Sequence, residues 1–130
     1  MLSGLDSNLD GIQTDRPDVV GNPNLQSGRG RSQIIAEFFN TGAFRAAAGL
    51  YGTAGRNLLY GPPSVNWDFS AFKNFKVTEG RFVQFRGEVF NLFNQVNFGA
   101  PNSTLTSPSF GRILSANPPR VVQFGLKFVF

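Results

Sequence analysis

From Arg120 to Phe130 the chain alternates between two kinds of side chain. Val122, Phe124, Leu126, Phe128 and Phe130 fall on one side of an extended backbone. Val121, Gln123, Gly125, Lys127 and Val129 fall on the other. Successive side chains of a strand point to opposite faces, so a period of two specifies a strand and is incompatible with a helix of 3.6 residues per turn. The same period occurs twice more upstream. In residues 66–76 Trp67, Phe69, Ala71, Lys73 and Phe75 share one face, against Asn66, Asp68, Ser70, Phe72 and Asn74. In residues 82–92 Val83, Phe85, Gly87 and Val89 oppose Gln84, Arg86 and Glu88.

Three segments of this kind, 66–76, 82–92 and 120–130, predict an antiparallel meander and an all-β chain. Each is about as long as the ~9–11 residues that a tilted strand needs to cross a bilayer. Strands of soluble proteins are typically about half that length. The connections alternate as well. Val77 to Arg81 forms a short turn with Gly80 available for positive φ, whereas Phe93 to Pro119 is long and rich in Asn, Ser, Pro and Gly. Short turns on the periplasmic side and long loops outside are the pattern of outer-membrane barrels. These residues therefore predict the last strands of a transmembrane β-barrel in the outer membrane of a Gram-negative cell, with lipid as the neighbour of the apolar face.

Composition agrees. Fifteen Phe and fifteen Gly, with eight Pro, suit aromatic strands joined by turns. Cys and His are both absent, which excludes disulfides, thiolate and imidazole metal sites, and nucleophile–His catalysis. The bases outnumber the acids by twelve to eight, but they are scattered singly with no Lys/Arg run. That pattern does not predict nucleic-acid binding.

Residues 1–62 read as an irregular, loop-like segment of the external kind, separate from a strand-bearing part at 63–130. Asp15-Arg16-Pro17-Asp18, Gly21-Asn22-Pro23-Asn24 and Gly28-Arg29-Gly30 interrupt any period. Ser32 to Phe39 predicts a helical turn or two with Ser32 as its cap, and Phe44 to Tyr51 a short strand. Asp6, Asn8 and Asp10, followed by Gly11, have the alternate oxygen ligands of a calcium loop. Position twelve of such a loop is Pro17, where a Glu belongs, so an acidic surface turn is the plainer reading and calcium stays open. Gly49-x-x-Gly52-x-x-Gly55 lacks the strand-then-helix setting of a phosphate loop. Arg86 and Glu88, two apart on one strand face, predict a lumenal ion pair. The chain is expected to be no enzyme, with no cofactor.

Several stretches resemble TonB-dependent receptors of the Oar-like type. They are Gly55-Arg56-Asn57-Leu58-Leu59-Tyr60-Gly61-Pro62, Asn66-Trp67-Asp68-Phe69-Ser70-Ala71-Phe72-Lys73-Asn74-Phe75, and, upstream, Asp15 to Pro23 and Phe38 to Phe44. Arg86-Gly87-Glu88-Val89-Phe90-Asn91-Leu92-Phe93-Asn94 is similar to the penultimate strand of those receptors more widely. The resemblance implies a C-terminal piece of a barrel of about 22 strands. It implies energised uptake through plug and TonB-contacting segments that these 130 residues do not include. Met1 to Asp6 also lacks the basic and apolar regions of an export leader, so the reading expects upstream chain. Val122, Phe124, Leu126, Phe128 and Phe130 look like the assembly signal read by the barrel assembly machinery. A soluble β-rich binding or adhesion module is the alternative. In it the apolar faces must meet a second sheet, for which the chain has few strands to spare.

Overall fold

The computed structural model describes all residues, Met1–Phe130. The elements in chain order are β1 (Asp18–Val19), α1 (Arg31–Ala36), a single 3-10 turn (Thr41–Ala43), β2 (Phe44–Arg45), β3 (Phe69–Thr78), β4 (Arg81–Phe90) and β5 (Val121–Val129). Two compact units divide the chain. One is Met1–Pro62 with Gly99–Ser115, the other Pro63–Phe98 with Ala116–Phe130.

The second unit is the predicted meander. β3 pairs antiparallel with β4, and β4 with β5, in the order β3-β4-β5. The hairpin between β3 and β4 is tighter than the sequence suggested. Val77 and Thr78 stay in the strand, a bulge follows Lys76, and only Glu79 and Gly80 turn. Gly80 takes φ 78°, a left-handed conformation that costs glycine little. At its other end β3 begins at Phe69 and not at Asn66, because Trp67 and Asp68 are drawn into loop contacts described below.

The first unit carries the core. Phe39 and Phe44 are buried beside Ala43, and Phe110 completes a triangle of edge-to-face rings at 5.2–6.0 Å. Such pairs add about 0.5–1.5 kcal/mol each beyond the area they bury. Phe110 comes from the long loop that the sequence assigned to the strand-bearing part. Backbone bonds join that loop to the N-terminal segment: Phe38 N–H to the Gly111 carbonyl (2.7 Å), Ile113 N–H to Ile35 (3.0 Å) and Leu105 N–H to Leu2 (2.9 Å).

Local signals were only partly legible here. Helix α1 is capped by Gly30, whose N–H is accepted by Gln33 Oε1 (2.9 Å), and Ser32 lies inside the helix. The expected strand from Phe44 shrinks to two residues, paired with Asp18–Val19. Buried Asp18 explains why the chain turns away: its carboxylate accepts the N–H groups of Ala48 (3.0 Å) and Thr53 (3.1 Å). Gly52 packs so closely on the backbone that an added Cβ would fall 1.9 Å from the Arg16 carbonyl oxygen. Close approach is thus its structural reason.

Candidate functional site

Residues that pair directly across an antiparallel sheet share a face. The registers Phe75↔Val83↔Phe128, Lys73↔Phe85↔Leu126, Ala71↔Gly87↔Phe124 and Phe69↔Val89↔Val122 therefore build one continuous wall. Among these twelve positions Lys73 alone is polar. The four residues Val122, Phe124, Leu126 and Phe128 line its β5 edge, and Phe130 follows just past the strand. None of them is buried: Phe124 is 72% exposed, Leu126 76% and Phe128 54%. The aromatic side chains pack along the wall. Phe124 stacks on Phe85 at 5.8 Å and lies over Gly87, and Phe128 stacks on Phe130 at 5.8 Å. An apolar sheet face of this extent is unusual on a water-soluble surface. In a membrane barrel it has hydrocarbon as its solvent.

The opposite face is mixed, with its polar groups concentrated mid-strand. Gln84 Nε2 donates to Asn74 Oδ1 across β3 and β4 (2.9 Å), and Gln123 donates to Glu88 across β4 and β5. Arg86 Nε stands 3.7 Å from Glu88 Oε1. The predicted Arg86–Glu88 pair is present and is extended to a third residue, Gln123. Exposed pairs of this kind are worth about 0–1 kcal/mol and orient side chains more than they stabilise.

Sequence reasoning missed the asparagines that follow β4. Asn91, with φ 53°, is buried. Its amide donates to the carbonyls of Gln95 (2.9 Å) and Pro118 (3.3 Å), and its side-chain oxygen accepts Gln95 N–H. Its backbone N–H goes to Asp68 Oδ1 (2.9 Å). Asn97 holds Val65 by both backbone groups, at 2.8 and 2.9 Å, and Asn94 Oδ1 accepts Arg120 N–H (3.0 Å). These side chains bind the entry to β3, the exit of β4 and the entry to β5 at one end of the sheet. Trp67 and Phe93 meet edge-to-face there at 6.3 Å.

In the first unit the oxygens of the calcium-like loop are turned on the loop itself. Asp6 accepts the N–H groups of Asp10 (3.0 Å) and Gly11 (2.8 Å), and Asp10 Oδ1 accepts Ile12 N–H (2.8 Å). Asp18 has its carboxyl held below the ordinary value by the Ala48 and Thr53 N–H groups, with Arg45 adding to them. Glu37 is held below its ordinary value in the same way by the Thr41 N–H and hydroxyl, with Arg29 contributing.

A family model described as outer membrane beta barrel domain matches residues 1–123. The chain belongs to the outer membrane beta barrel domain family. Its place is accordingly the cell outer membrane, and the soluble-module alternative is set aside. The match takes in both units of this barrel domain and ends inside β5, at Gln123. No curated protein and no solved structure matches the chain.

Proposed function

We propose that this outer membrane barrel domain forms the closing wall of an Oar-like TonB-dependent receptor, and that β5 with Phe130 is the strand recognised by the barrel assembly machinery. The observation that carries the reading is the one-sided wall: three adjacent strands of 9–10 residues with their apolar side chains in register and uncovered. Strands of that length cross a bilayer when tilted. β5, like β3, stands at an edge of the three-stranded sheet, and an edge strand can add to a strand of an insertase. The motif running from Arg86 to Asn94 supports the receptor assignment. Its Arg and Glu form the ion pair on the mixed face, and its asparagines clamp the end of the sheet.

In this reading the apolar wall faces lipid and the Gln84–Arg86–Glu88 side faces the lumen. The Glu79–Gly80 hairpin is periplasmic. Residues 1–62 and 99–115 belong to the external part of the receptor. The chain serves as structure and address label, with no catalytic role. Uptake and TonB coupling belong to the receptor as a whole.

The test compares Phe130→Lys with Val129→Lys in the receptor that carries this segment, by heat-modifiable folded protein in outer-membrane fractions. A charge near the membrane interface costs only about 0–1 kcal/mol, too little to unfold a large barrel. Folded receptor is expected to fall sharply for Phe130→Lys and to stay near wild type for Val129→Lys. Equal yields contradict the proposed role of Phe130.

A further inference from the structure

The first unit carries a half-open cavity of about 500 Å³ whose walls all come from that unit. This is the size that takes a small organic ligand, for which pockets of about 300–1,000 Å³ are usual. Phe38, Phe39 and Leu59 form its apolar part and belong to, or pack on, the aromatic core, so that surface is rigidly backed. Tyr60 and Leu58 add exposed apolar surface beside them.

Arg16 and Arg56, both exposed residues, are among those that line the cavity, and the wall contains no Asp or Glu. Neither arginine takes part in a salt bridge; the chain's ion pairs are Arg45–Asp18 and Arg86–Glu88. Arg16 uses a single donor, Nη1, on the Ala54 carbonyl at 3.3 Å. Its neighbour in sequence, Asp15, is committed elsewhere, accepting the backbone N–H groups of Ser7 and Asn8. Arg56 makes no hydrogen bond at all to the rest of the chain. A guanidinium offers five donors in a planar fork suited to carboxylate. Two such forks, lacking anionic partners beside an aromatic floor, complement a molecule with an apolar ring body and an acidic head.

We infer that this cavity is a binding site for a small amphiphilic carboxylate, with the ring on Phe38 and Leu59, which the buried Phe39 backs, and the acid at Arg16 and Arg56. The site is independent of the receptor assignment and of β5, since every group it uses lies in the first unit.

The experiment uses the receptor that carries this segment, reconstituted in lipid nanodiscs, with 6-fluoro-2-naphthoate as the probe and fluorine NMR as the readout. Empty nanodiscs report partition into lipid, and 6-fluoro-2-naphthamide is the neutral counterpart. Saturable binding of the naphthoate is expected above the empty-disc signal, with the amide about tenfold weaker, as loss of one charge-assisted hydrogen bond implies. Arg56→Gln should weaken the naphthoate by a similar factor and leave the amide unchanged. Arg56→Lys, which keeps the charge, should recover part of the loss. Because Arg56 holds no other residue, its variants keep the wall intact. Equal binding of acid and amide, an unaltered affinity in Arg56→Gln, or a signal no larger than that of empty discs would each overturn the inference.

Discussion

Asn91 sits where β4 ends, with a left-handed φ of 53° that asparagine tolerates better than most residues. Its side chain answers groups four and twenty-seven residues away. Replacement by Ala removes those bonds and leaves the Gln95 N–H without its acceptor, a cost of about 1–3 kcal/mol. Asn91→Ala should therefore lower the unfolding free energy, measured by urea titration in micelles, by that amount, and Asn91→Asp, which keeps the acceptor, by less. The sequence showed these asparagines only as turn formers, because partners so distant leave no local period. Arg86 and Glu88 were legible for the opposite reason: two residues apart on a strand fixes a shared face. Asp18 makes a separate prediction. Its carboxyl titrates below the ordinary value of 3.8, so the stability it gives is complete above that value and is lost as pH falls through the lowered one. Proteolysis around Ala48 and Thr53 should rise at acid pH in the wild type. In Asp18→Asn it should be raised already at neutral pH, and its acid dependence should flatten.

Strands were the most legible elements, since alternation alone assigned every face that the registers later joined. Their ends moved by one to three residues where side chains outside the pattern took over, as Asp68 does in accepting Asn91 N–H. Lys73 is the exception on the wall, near the middle of β3 and opposite Phe85. A lysine facing lipid at the bilayer midplane costs about 2–4 kcal/mol. Lys73→Leu should accordingly raise the unfolding free energy of the membrane-inserted protein by about 2 kcal/mol or more. Lys76→Leu, on the mixed face, should change it little. A matching response of the two variants would show that the wall does not face hydrocarbon.

At the scale of the whole molecule, the sequence separated strands from an irregular N-terminal segment but did not show that the segment has a core. Phe39 and Phe44 meet Phe110 across more than sixty residues without any repeating pattern to announce them. Truncating a buried Phe to Ala typically costs about 3–5 kcal/mol. Phe39→Ala should therefore open residues 1–62 and 99–115 to limited proteolysis. In the proposed barrel one face of the sheet meets lipid and the other does not. The chain has no cysteine, so single substitutions accept one nitroxide label each. Labels at positions 122, 124, 126 and 128, and at 121, 123, 125 and 127, can be compared in the bilayer-reconstituted receptor that carries this segment, with no other cysteine present, by collision with oxygen and with a water-soluble nickel chelate. The account predicts a two-residue alternation, oxygen-rich at the even positions and nickel-accessible at the odd ones. Accessibility that does not alternate, or that places the nickel chelate at 124 and 126, would contradict it.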